Sequence, residues 1–225
     1  MQTEAEKYLI KILKKKLILE KRVLKLLNLG AAKSVVVENA LFEAGFKFIC
    51  DRTDIDDASV SRPYVKHVYR CAVEDMSVIK TDSYDLAFAN FVMEHITNPE
   101  KMAQETGRII KKKGSLVISL PNPQAPEFIL AKITSTNFHQ IFRRQGADPA
   151  YPVSYSYRSI ANFISLMEKN NWKLVEKKYF PATYSYLHRF PLINYLSYAY
   201  DNIILLLKLK RLLGHVVLHW ENNKD

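Results

Sequence analysis

Asn28-Leu-Gly30-Ala-Ala-Lys-Ser34 closes an apolar run and opens a helical one. At such a junction Gly30 permits a tight turn, and the small Ala31 and Ala32 let a ligand approach the backbone. The first N–H groups of the helix then face outward, ready for an anion. Asp51 lies 21 residues beyond Gly30, at the end of the next apolar run, where an acid can bind ribose hydroxyls. Asp54 is its rival for that role. One glycine fits a plain strand-to-helix turn as readily as it fits a nucleotide-type ligand, so both readings stand on these residues.

The elements that must position this loop follow from periodicity. Residues 3–19 carry apolar positions at helical spacing with lysines between, which predicts a moderately exposed helix. Strands are expected at 22–29, 46–51, 65–71, 84–90 and 115–120. A helix is expected over 35–44, stopped by Gly45. Asn98-Pro99 starts another in the favoured way, running to a Lys111-Lys-Lys-Gly114 stop. Further on, helices are expected over 127–142 and 159–170 and strands over 172–180 and 216–220, with an apolar segment, 181–213, inserted before the last strand. Alternating strands and helices predict an α/β fold, a mostly parallel sheet covered on both faces. The whole chain, 1–225, is expected to form one domain: an N-terminal helix, a half built from 21–123, and a C-terminal region over 124–225.

Composition narrows the classes. The 225 residues, 48% hydrophobic and 25% charged, are ordinary globular composition. Six glycines and nine prolines are too few for a turn-rich all-β fold. Two cysteines, Cys50 and Cys71, make neither a disulfide framework nor a four-ligand zinc site, and no metal is expected. A reducing, cytoplasmic setting without a signal peptide or membrane span is expected. The net charge of +10 is uneven: residues 1–33 carry +6, 51–100 carry −5, and 101–225 carry +10. The acidic middle opposes a nucleic-acid-coating protein.

Longer patterns add a resemblance. Cys71-Ala-Val-Glu-Asp-Met76 is followed by Tyr84-Asp-Leu-Ala-Phe-Ala-Asn-Phe-Val-Met-Glu-His-Ile96. After Asn98-Pro-Glu comes Gly107-Arg-Ile-Ile-Lys-Lys-Lys-Gly-Ser-Leu-Val-Ile-Ser-Leu-Pro-Asn122. In order and spacing, these segments resemble the class I S-adenosylmethionine-dependent methyltransferases, nearest to the type 11 group. The resemblance covers about residues 20–123. It implies a doubly wound Rossmann-like sheet of seven strands, the last antiparallel, with S-adenosyl-L-methionine at the carboxyl ends of the first four. Carried over by position, Asn28, Gly30, Ala32 and Ser34 would line the methionine end, and Asp51 or Asp54 would hold the ribose. Val73 and Glu74 would flank the adenine, Asn90 and Phe91 would sit under the cofactor, and His95 would stand near the methyl. A hydroxyl acceptor benefits from a base of near-neutral pKa, and His95 and His139 are the candidates.

The chain departs from the pattern at Asn28, Ala32, Ala72 and Ser115, where the family carries an acid, a glycine, an acid and a glycine. An amide cannot balance the cofactor's amino group as a carboxylate does. The competing readings are therefore a degenerate scaffold that binds a membrane or protein partner, and an NAD-dependent Rossmann enzyme. The expected acceptor is a small molecule or one of lipid or sugar type, methylated on oxygen or nitrogen. Tyr151, Tyr155, Tyr157, Tyr179, Tyr184 and Tyr186 either line its pocket or cover a sheet edge. Residues 192–213 suit peripheral membrane contact, packing on their own domain, or a homodimer contact.

Overall fold

The computed structural model describes residues 2–133, 152–184 and 191–224. In chain order the elements are α1 (Glu4–Leu19), β1 (Leu24–Leu29), α2 (Val36–Phe42), β2 (Phe48–Asp54), β3 (Val65–Arg70), β4 (Tyr84–Asn90), α3 (Pro99–Ile109), β5 (Ile110–Pro121), α4 (Pro126–Ile133), α5 (Ile160–Lys169), β6 (Trp172–Phe180), α6 (Pro191–Leu206) and β7 (His215–Asn222). A 3₁₀ turn, Lys210–Leu212, leads into β7.

The strands form one sheet ordered β3-β2-β1-β4-β5-β7-β6. Neighbours among β1 to β5 run parallel, while β7 runs antiparallel to both β5 and β6. The expected doubly wound sheet of seven strands with an antiparallel last strand is the one observed. The order turns back at β1 and β4, so the crevice beyond their carboxyl ends is where an α/β sheet receives ligands.

Alternate strand residues feed two cores. On one face Leu27, Leu29, Ala87, Ala89 and Ile118 pack beneath α3 and α5, with Met102, Phe163 and Trp220. On the other, Leu24, Leu26, Leu86, Phe88 and Val117 pack beneath α1 and α2. The first helix is more buried than its lysines suggest. Leu9 and Leu13 are fully enclosed, while the lysine side and the helix end at Ile18 and Leu19 meet water. Thr3 caps it, accepting from the Glu6 N–H.

Several boundaries shift from the sequence reading, and three of the shifts bear on the site or its support. Strand β2 continues past Asp51 to Asp54, because Arg52, Thr53 and Asp54 keep pairing with β1 or β3. Helix α2 ends at Phe42, and Gly45 follows with φ +83°. The Phe46 N–H returns to the Leu41 carbonyl, so Gly45 still supplies the left-handed closing residue.

The third is the lysine run. It is part of β5 rather than a helix end. Ile110 already pairs with Tyr84, and the register shifts before Leu86 meets Ser115. Asp85 anchors the bulge from below, accepting from Lys111 Nζ at 2.7 Å and from Arg22. Gly114 is needed there for close approach: a Cβ would stand 2.8 Å from the Lys111 carbonyl oxygen and 2.9 Å from that of Asp85. Backbone cannot yield as a flexible side chain does. Gly114→Ala should therefore lower the unfolding free energy by ~1–3 kcal/mol, read from urea denaturation.

Candidate active site

Gly30 follows β1 with φ +60°, and a Cβ there would lie 2.5 Å from Val92 Cγ1, so no larger residue fits. The Ala31 N–H donates to the Thr53 carbonyl at 2.9 Å, tying the loop to β2. Beneath it lies the fully buried Arg52. Its Nη2 donates to the carbonyls of Ala31, Ala32 and Ser34 at 3.1, 3.1 and 2.7 Å. Its Nη1 donates to Glu38 Oε1 at 2.6 Å, and Asn28 Nδ2 donates to that same oxygen at 2.7 Å. Burial pushes the Glu38 carboxyl up, against the opposing pull of Arg52 and Asn28.

Asn28, Gly30, Ser34, Glu38, Phe88 and Asn90 border a small cleft of about 40 Å³. Asn90, the last residue of β4, accepts from Ser119 Oγ at 2.6 Å and donates to Glu6 Oε1 at 2.8 Å. The N-terminal helix thus reaches the residues at the mouth of the crevice. Burial raises the Glu6 carboxyl.

The two rival acids are placed differently. Asp54 ends β2 beside the loop, taking the Ala32 N–H at 2.8 Å and the Asp56 N–H at 3.0 Å. Asp51 lies one turn of the strand lower and fully buried, where Tyr84 Oη, the His67 N–H and Lys25 Nζ all bind its carboxylate. Val73 is buried in the core on the α3 side. Glu74 accepts from the Thr97 and Asn98 N–H groups and so braces the turn before α3.

After β4 the chain turns through Phe91, at φ +56°. Its ring meets His215 edge-on at 4.7 Å, and Phe128 lies 6.0 Å from the same imidazole. Phe128 also meets Tyr155, which meets Tyr157, whose hydroxyl donates to the Pro121 carbonyl. Burial holds His215 neutral, down at about 4. Tyr179 lies on the edge strand β6, and Tyr184 donates its N–H to Asp201. Tyr155 and Tyr157 thus lie beside the Phe128–His215 corner, and Tyr179 lies on the edge of the sheet. His95 Nδ1 lies 2.9 Å from the Pro152 carbonyl oxygen, to which it can only donate. His139, Tyr151 and Tyr186 lie outside the described residues.

The structure brings Asn28, Gly30, Ala32, Ser34, Asp54 and Asn90 together around the crevice, with Phe91 beside it. It keeps Asp51 and Val73 in the interior. Sequence reasoning missed Arg52, Glu38, Glu6 and Glu94. The one local signal was an arginine within an apolar strand. Glu94 lies in the loop after β4 with its side chain buried and Oε2 without a hydrogen-bond partner among the described residues. Burial pushes its carboxyl up to about 8.

With this geometry in place, residues 1–177 match the family model of a methyltransferase domain. No curated protein matches. Solved structures similar to the chain include an S-adenosylmethionine-dependent methyltransferase from Mesorhizobium loti, 11% identical, covering 95% of this chain and 97% of that one, with a TM-score of 0.58. Another is a 1,6-didemethyltoxoflavin-N1-methyltransferase from Burkholderia thailandensis with S-adenosylhomocysteine bound. It is 13% identical, covering 99% of this chain and 80% of that one, with a TM-score of 0.57. The [4+2]-cyclase SpnF is 10% identical, covering 97% and 81%, with a TM-score of 0.59. The chain belongs to the methyltransferase-domain family, and its fold is the class I Rossmann-like one that the motifs implied. The cyclase is a reminder that this sheet by itself does not specify a reaction.

Two measurements test the buried charges. Arg52→Met removes the cation from beneath the loop and strands Glu38, and should cost ~3–5 kcal/mol of stability in urea. Adding Glu38→Gln should recover part of that loss, a coupling a double-mutant cycle reads directly. Glu94 binds its proton more tightly folded than unfolded. Its stabilising contribution is therefore complete below the ordinary carboxylate pKa and is lost as pH rises toward about 8. Glu94→Gln should remove that part of the slope, ~1.4 kcal/mol per pH unit, and leave the variant more stable than wild type at pH 9.

Proposed function

We propose that the crevice at the carboxyl ends of β1, β2 and β4 binds S-adenosylmethionine, and that the chain transfers a methyl group to an oxygen or nitrogen of a small acceptor. The observation that carries this reading is the loop Gly30–Ser34, its carbonyls drawn down onto Arg52 with the Asp54 carboxylate standing beside it. Of the two acids, Asp54 suits the ribose hydroxyls, because it ends the strand at the loop while Asp51 is consumed by Tyr84, His67 and Lys25. Asn28 lacks a charge to meet an amino group, but Glu38, hydrogen-bonded to it, brings a carboxylate to the same cleft.

The cofactor supplies an electrophilic methyl on a sulfonium. What the protein adds is mainly alignment, since a reactant held in line has already met its entropic cost. Phe91, Phe128, Tyr155 and His215 form an aromatic corner beside Asn90, which suits an acceptor with apolar or flat surface, including a lipid- or sugar-linked one. His95, in the loop after β4, is the candidate base for a hydroxyl acceptor.

The non-catalytic reading draws on the narrow cleft, the Glu6–Asn90 bond at its mouth, and Ala72 where the family carries an acid. Isothermal titration with S-adenosylmethionine and S-adenosylhomocysteine separates the two. The expected result is saturable binding of both, weakened at least ~10-fold by Asp54→Asn. Asp51→Asn should keep the affinity and lose stability instead. Absence of binding to folded wild type ends the methyl-transfer reading.

A further inference from the structure

Helix α6 has its polarity reversed. An amphipathic helix on a soluble domain turns apolar residues inward and polar ones to water. Here the buried stripe at positions 197, 201 and 204 is Ser197, Asp201 and Ile204. Asp201 is held there by the Tyr184 N–H at 2.9 Å, which fixes the rotation of the helix. The outward side carries Leu196 and Leu206, 71% and 80% exposed, with Tyr195, Tyr198, Ile203 and Leu207 around them. A contiguous apolar face of this kind marks an interaction site.

The charge beside it identifies the partner. Lys208, Lys210 and Arg211 follow directly and are all exposed. The only acid in 191–213 is Asp201, and it faces inward. The outer surface is thus apolar and cationic, with no compensating anion of its own. A second copy packed on this face by two-fold symmetry would bring like charges together. An anionic bilayer satisfies both features, taking the apolar side chains among its acyl chains and the cations at its headgroups. At 16 residues α6 is ~24 Å long, and no helix of the described residues is long and apolar enough to cross a membrane. It would lie on the surface.

We propose that α6 and the basic turn after it form a docking face for an anionic lipid bilayer. Leu213, buried just beyond the turn, leads through Gly214 to His215 in the aromatic corner, so docking holds the acceptor side of the crevice near the lipid surface. The docking stands apart from the cofactor site, and the two fail separately. Sedimentation with phosphatidylcholine vesicles, with and without phosphatidylglycerol, tests it on the full chain. Wild type should prefer the anionic vesicles by about 100-fold, the effect of three basic side chains near such a surface. Lys208→Glu/Lys210→Glu/Arg211→Glu should abolish the preference, and Leu206→Asp should reduce binding to both kinds of vesicle. Thermal melting by circular dichroism confirms that each variant is folded, and cofactor titration of the same variants should be unchanged. Equal binding to both vesicles by wild type overturns the proposal. So does a solution dimer, seen by light scattering without lipid, that Leu206→Asp dissociates.

Discussion

A guanidinium with no exposure to water must find its partners inside the protein, and around Arg52 both terminal nitrogens find them, while Nε has no partner among the described residues. Glu38 takes one nitrogen, and three successive parts of the Gly30–Ser34 loop offer their carbonyls to another. One side chain thereby sets where β1 ends, how the loop turns, and where α2 begins. Gly30 takes its left-handed φ freely, but that of Ala32 costs energy, which this network offsets, since hydrogen bonds to a charged group are among the stronger ones. With its carbonyls turned toward Arg52, the loop meets the crevice in a defined conformation before any ligand arrives.

The same pair accounts for the chain's departure from the family pattern at position 28. An aspartate there would face Glu38 across a single hydrogen bond, two carboxylates sharing one buried cation. The amide instead donates to Glu38 and leaves the Glu38–Arg52 pair balanced. The acid bordering the cleft thus stands ten residues further along the chain, with its charge met by Arg52. Helix α1 adds a second acid from the other side, through Glu6 on Asn90. The N-terminal helix is therefore part of the crevice as well as a cover for the sheet.

The uneven charge of the chain also resolves into places. Part of the acidic middle is consumed structurally: Asp85 holds Arg22 and Lys111, Asp51 holds Lys25, and Asp57 holds Lys33. Glu94 is buried, and the loss of water around its carboxyl is what raises it. The cations beyond α6 belong to an outward face instead. The excess of positive charge is therefore a surface property, separate from the crevice.

What the sequence alone determined is whatever depends on neighbours a few residues apart. Strand and helix alternation, the Asn98-Pro99 start of α3, Gly45 as a closing residue, and the Gly30 turn all follow from local sterics and periodicity. The motif order from 71 to 122 was enough to reach the family. The tertiary structure buried Asp51 within β2 and carried the strand on to Asp54, because strand length depends on pairing with β1 and β3, which no single run of residues encodes. It made the lysine run a bulged strand, since Asp85 pulls on it from 26 residues away. It joined Glu6 to Asn90 across 84 residues and placed Arg52 beneath a loop 20 residues earlier. A buried charge is invisible in a sequence because burial is a property of the packed chain. The reversed polarity of α6 is hidden for the same reason: its residues were readable, but which side faced inward was settled only by what it packed against.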